Sequence, residues 1–283
     1  MRLLTALALL PTAASLLFAG GCALRMRWDG NPTAWHEATE TIVVPAAGRA
    51  RVAVDSHHGS IRVTGDPGAD AVTVVARKRT GGRDEADART AQAHLRIAQR
   101  IQDDEIAFEV EWDDDWSARD WSAAVDFEVT VPARFGATLT SHHGNVVAHG
   151  LAGGVLASSH HGTVELREVA GRVDGRSHHG EVTCTTSGEQ VVLRSHHGDV
   201  ELTTTALRTI GSLRSHHGNL RIDLPAGACG TVCGSGSLDA FASGADANSM
   251  VVRIDDDDFV VELRDPSVAE LEADTHHGCV RLR

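Results

Sequence analysis

The tripeptide His-His-Gly occurs seven times in this 283-residue chain, six times behind Ser and once behind Thr. The copies begin at His57, His142, His160, His178, His196, His216 and His276. Those at 142, 160, 178 and 196 follow one another at intervals of 18 residues, and the next comes after 20. A fixed period near 20 residues marks a solenoid, in which each repeat is one coil laid on the last. Equivalent residues of successive coils then lie about 4.8 Å apart, the spacing of hydrogen-bonded strands. The doublets hold fourteen of the seventeen histidines, so they should become two columns of imidazoles.

Parity assigns each column a side. Apolar residues fall two and four positions ahead of the Ser or Thr, as with Val52 and Val54 before Ser56, Val191 and Leu193 before Ser195, and Leu271 and Ala273 before Thr275. Alternate residues of a strand share a face. The second histidines (His58, His143, His161, His179, His197, His217 and His277) therefore read as an inward column, open to packing as well as to ligation. The first histidines read as outward, alongside Arg176, Arg194 and Arg214. After each Gly the parity resets, with Val182 and Cys184, Val200 and Leu202, and Leu220 and Ile222 inward. A Gly at the reset fits a corner with unusual backbone angles. Cys233-Gly234-Ser235-Gly236-Ser237-Leu238, 18 residues beyond His216, reads as one more coil in which Gly-Ser replaces His-His.

The remaining text divides the chain. Residues 1–21 read as an export signal: Arg2, an apolar stretch from Leu3 to Phe18 broken by Pro11, then Ala19-Gly20-Gly21-Cys22. A Cys at that point resembles a bacterial lipoprotein signal, lipidated at Cys22, although Ala19 stands where such signals usually carry Leu. The stretch is too short and broken for a lasting membrane span. The expected location is outside the cytoplasm, in the cell envelope, periplasmic or surface-facing, with the membrane touched only through the anchor. Residues 22–40 read as a tether and 41–283 as the solenoid. Within it we expect a helix near 83–102, where Leu95, Ala98 and Ile101 fall at helical spacing. An acidic hairpin follows over 105–131, then regular coils over 133–240 and C-terminal coils over 241–283. Cys229 and Cys233 are close enough in sequence for a disulfide in an oxidising compartment.

The pattern Ser-x-x-Gly-x-Val/Leu, the leading Val131-Pro132-Ala133 and the link Gly150-Leu151-Ala152-Gly153 together resemble the domain-of-unknown-function family 4097. These are bacterial β-strand-repeat proteins labelled as candidate adhesins. The resemblance covers about residues 45–283. It implies an all-β fold, a single-stranded parallel β-helix of right-handed winding, and says little on mechanism. The departure is His-His in positions that the family fills with small polar residues.

The net charge of −13 argues against nucleic acid and anionic membranes as partners and favours cations. Neutral imidazole is a ligand for transition metals such as Zn, Cu and Ni. The outward column is the better candidate, with Glu181 and Asp199, just past the corner, placed to ligate or to orient an imidazole. Arg176, Arg194 and Arg214 oppose a cation there unless they pair those carboxylates. The alternative is an adhesin-like or envelope scaffold contacting other surface proteins, its histidines structural or pH-responsive. Charging two neighbours 4.8 Å apart costs about 1 kcal/mol in water and about 3 kcal/mol at an effective dielectric of 20. Enzymes gather unlike residues at one pocket, whereas here the same residues recur along an axis, so no catalytic role is expected. Asp113–Asp115 and Asp255–Asp258 lack the spacing of a calcium loop and read as solvated turns.

Overall fold

In the computed structural model of the chain, the alternating apolar segments form strands that pair with the strand one repeat away. The structure describes residues 31–113, 123–205, 209–239, 251–263 and 269–283. The expected export signal, Cys22 and the acidic tip beyond Asp113 lie outside these residues. Every element among the described residues is a strand except one helix.

Seven coils each supply a strand before the corner and another after it. The first set is β2 (Arg51–His58), β8 (Gly136–His143), β10 (Val155–Ser159), β12 (Arg172–Ser177), β14 (Gln190–Ser195), β16 (Ile210–Ser215) and the first half of β21 (Glu270–Leu282). They pair in parallel in that order. The second set is β3 (Ile61–Asp66), β9 (Val146–His149), β11 (Val164–Val169), β13 (Val182–Thr186), β15 (Val200–Thr204), β17 (Leu220–Asp223) and the second half of β21. These form a second parallel ladder.

Register places like over like. Val155, Val173 and Val191 stack in the first ladder, and Val146, Val164, Val182, Val200, Leu220 and Val280 in the second. All are buried, and each such side chain contributes about 1.5–3 kcal/mol on leaving water. Where Leu193 intrudes, Gly175 makes room: a Cβ there would lie 3.1 Å from Leu193 Cδ2. The 20-residue interval is absorbed outside the ladders. Thr204 and Thr209 join hydroxyls at 3.0 Å, and pairing resumes with Ile210 opposite Gln190.

The ends depart from the sequence expectation. The segment read as tether is strand from Ala34: β1 (Ala34–Pro45) lies antiparallel on β4 (Ala71–Gly82). The helix is confined to α1 (Glu85–Ala93), capped by Asp84, whose carboxylate accepts the Asp87 N–H at 2.8 Å. The expected helical stretch beyond it is strand β5 (Leu95–Gln102). There Leu95 is buried and Ile97 half-buried at the spacing of a strand, and Arg100 reaches Glu109 and Glu111 across the pair at 2.6 and 2.7 Å. The hairpin also has other members than expected. β6 (Glu105–Trp112) pairs antiparallel with β5 and parallel with β2, while β7 (Ala123–Pro132) pairs with β4 and β3. β6 and β7 thus extend different ladders.

At the other end the chain doubles back. β21 lies between the strands of the His216 coil and β18 (Thr231–Asp239). Antiparallel β20 (Asp258–Glu262) and β19 (Val251–Asp255) follow, so the segment expected as further coils is in part a hairpin meander. Asp256, at φ 52°, turns that hairpin, which accounts for the acidic run as a turn. The coil with Gly-Ser is shorter than read. Gly234 and Ser235 pair with Ala273 and Asp274 inside a strand, and Ser237 already pairs with Cys279. The Gly-Ser residues therefore do not occupy the histidine positions, and that corner is cut down to Gly236, at φ 117°.

Candidate metal centre

The corner is built by its Ser and its Gly. Each Ser hydroxyl donates to the corner Gly carbonyl one rung below: Ser159 to Gly144, Ser177 to Gly162 and Ser195 to Gly180, each at 2.8 Å. Ser141, Ser215 and Thr275 repeat the bond to Gly59, Gly198 and Gly218 at 2.8–3.0 Å. At the first rung Ser56 donates to Val125 O instead, at 3.1 Å. The Gly is required by crowding from the same carbonyl, since a Cβ on Gly180 would lie 2.1 Å from Gly162 O. The ladder runs on through the histidines' own backbone, with His179 N–H bonded to His160 O at 3.0 Å and His197 N–H to His178 O at 2.9 Å. Ser and Gly thus specify the turn. Nothing in this backbone calls for imidazole.

The rings stand in two continuous columns of seven. Doublets separated unevenly in sequence become consecutive rungs in the order 57, 142, 160, 178, 196, 216 and 276. First histidines stack at centroid spacings of 4.7–4.9 Å and second histidines at 4.7–5.0 Å. Between the columns the two rings of a doublet meet edge to face at 4.3–4.4 Å in six of the seven rungs. At the last rung His276 and His277 open to 6.2 Å.

The second column does not point inward. His143, His161, His179, His197, His217 and His277 are exposed, and only His58 is half-buried. Strand parity ends at the Ser, which alone turns into the core; Ser177 and Ser195 are each 6% exposed. In β10, β12, β14 and β16 the strand ends there and the next two residues form the bend, while β2, β8 and β21 run on through the doublet; in both cases the rings line up on the same outer edge. One stretch of surface therefore carries fourteen imidazoles.

Geometry and titration leave several rings able to act as ligands. Ligand nitrogens of His160, His161 and His179 lie within 4.8 Å of one another, close enough for ring rotation to bring them round one ion. Nδ1 of His160 and of His216 is buried without a hydrogen-bond partner among the described residues. Partial desolvation, then repulsion from His57, His143 and His142, brings His58 down to about 4. Partial desolvation and then neighbouring imidazoles hold His142, His143, His161, His179, His197, His216 and His217 below the ordinary value. Such rings are neutral at pH 7 and keep a free lone pair.

The flanking charges are arranged differently from the sequence expectation. Asp199 accepts the Asn219 N–H at 2.7 Å. Arg176 is held by Asp174 through two bonds of 2.8 Å, and Arg214 by Glu272 and Asp274 at 2.8 and 3.4 Å. Both arginines are therefore neutralised, though not by Glu181 or Asp199. Cys229 and Cys233 are both free thiols, and burial pushes Cys184 up to about 12. Sequence reasoning missed two features. One is the carbonyl-bound Ser ladder, signalled by the small hydroxyl residue before every doublet. The other is the apolar wall of Val110, Trp112 and Ala123 beside His57 and His58.

No family model matches the chain, and no curated protein does. Solved structures similar to it include a candidate cell adhesion protein from Clostridium sporogenes, 7% identical, covering 87% of this chain and 99% of that one with a TM-score of 0.36. A candidate adhesin from Bacteroides fragilis is 11% identical over 87% and 97%, at 0.39. A candidate lipid binding protein from Parabacteroides distasonis is 6% identical over 87% and 97%, at 0.29. At such scores they assign neither ligand nor role.

Proposed function

We propose that this chain is an exported β-solenoid of the cell envelope, wound right-handed and anchored through Cys22, whose imidazole columns take up transition-metal ions such as Zn, Cu or Ni. The observation that carries the reading is the alignment of all seven doublets on consecutive rungs. The corner backbone needs only Ser or Thr and Gly, yet all seven corners on these consecutive rungs hold His-His, whereas the Thr185-Thr186-Ser187-Gly188 turn on another edge does without it. Eleven exposed and three half-buried imidazoles, several of them lowered by partial desolvation and then by their neighbours, are an expensive surface unless the lone pairs are used. Imidazole nitrogen suits late first-row divalent ions, and a net charge of −13 draws cations towards the chain. The role would be storage, buffering or sensing, with no catalysis.

A second reading, an adhesin-like scaffold, draws on the groove beside the first column, lined by Asp55, His57, Thr140, His142, Ser158 and His160. Being straight and open, it would suit an extended partner. Equilibrium dialysis against micromolar Zn²⁺ and Cu²⁺ separates the two. Metal binding requires uptake of more than one ion per chain, and marked loss when the seven first histidines become Asn. Less than one ion bound, or equal uptake by that variant, leaves only the scaffold reading.

A further inference from the structure

Repetition along the column sets which rings work together. The set His160, His161 and His179 combines both rings of one rung with the second ring of the next. Its diagonal pair, His160 and His179, is 5.6 Å apart between centroids. The same diagonal recurs at 5.9 Å for His57 and His143, 5.8 Å for His142 and His161, and 5.9 Å for His178 and His197. It recurs again at 6.0 Å for His196 and His217 and 5.8 Å for His216 and His277. Seven rungs therefore repeat this ring arrangement six times, with ligand nitrogens within 4.8 Å of one another only at His160, His161 and His179 among the described residues, and each triad shares a second-column ring with the next.

We infer that the array fills by alternate triads, each ion held by three imidazoles with a fourth position open to water, so that the chain saturates at half its triads. This rests on the metal-binding reading above. A neutral imidazole has one acceptor nitrogen, the other carrying its proton, so a shared ring serves one ion at a time. Three imidazoles around an exposed ion leave room for water, the arrangement of an open zinc site. The two columns then have unequal duties. A first-column ring belongs to one triad, whereas His143, His161, His179, His197 and His217 each belong to two. His276, with no rung beyond it, completes none.

Native mass spectrometry of the chain titrated with Zn²⁺ reads the number of ions directly. The expected plateau is three ions for the unaltered chain. A variant with His142→Asn, His178→Asn and His216→Asn keeps three complete alternate triads and should still plateau at three. A variant with His143→Asn, His179→Asn and His217→Asn also loses three rings, but one from every triad, and should lose the plateau. Circular dichroism verifies that both variants fold. A plateau of six or seven, or equal losses in the two variants, overturns shared triads while leaving metal binding standing. No zinc on the unaltered chain overturns the metal reading itself.

Discussion

At the residue scale, Gly180 lies directly over the Gly162 carbonyl, where a Cβ would come within 2.1 Å of the oxygen. Both neighbours are backbone in a hydrogen-bonded ladder, so neither can yield cheaply. Gly180→Ala is expected to destabilise the chain by about 2–4 kcal/mol, in the range of backbone strain and overpacking. Ser177→Ala, which deletes the 2.8 Å bond to Gly162 O, should cost about 1 kcal/mol. His178→Asn removes an exposed ring and should leave the urea midpoint unchanged; a loss comparable to that of Ser177→Ala would make the histidines structural. That Gly stands at the corner was legible from the parity reset, but the expected reason was not: of the seven doublet glycines only Gly59 has a positive φ, and crowding by the carbonyl one rung below is what excludes a side chain at the others. The second histidines were misplaced because a period of two holds only while the backbone stays extended. In the four middle repeats β10, β12, β14 and β16 the strand stops at the Ser, and the bend turns both rings to one side.

At the element scale, the strands of the middle repeats β10–β15 pair with those of the repeats on either side, and in such an array stability is expected to be close to a sum over neighbours. Val182 pairs with Val164 and Val200, with one register shift in β11 between Leu166 and Val169. Deleting residues 163–180 removes one full period and joins Gly162 to Glu181, so every column remains aligned. Such a chain is expected to fold to the same strand signature in circular dichroism. Deletion of nine residues from the same point should not, because it sets corner residues against strand residues. The 18-residue period made the middle coils legible. The chain reversal that puts β21 between the His216 coil and β18 was not, because strand pairing across so long a segment leaves no local mark. β5 was misread for a related reason: Leu95, Ala98 and Ile101 satisfy a helical spacing, while Leu95 with Ile97 satisfies a strand, and pairing with β6 decides between them.

At the scale of the whole molecule, the columns tie stability to proton concentration. Unfolded imidazoles titrate near 6.5, whereas His58 in the folded chain lies at about 4 and seven others are also lowered. Below about pH 6.5 the unfolded chain therefore binds more protons than the folded one. The contribution is fully present above that value and is lost as the pH falls towards 4. The melting temperature should drop over that window and drop less in a variant with the second histidines changed to Asn; equal slopes would contradict the account. Bound metal should leave over the same window, since protons compete for the lone pairs. The most direct test of the central claim is the X-ray absorption spectrum of the zinc-loaded protein. The account requires a first shell of nitrogen and oxygen at about 2.0–2.1 Å with the outer-shell pattern of imidazole. A shell of sulfur at about 2.3 Å, as Cys229, Cys233 or Cys279 would provide, or the absence of imidazole scattering, would contradict it.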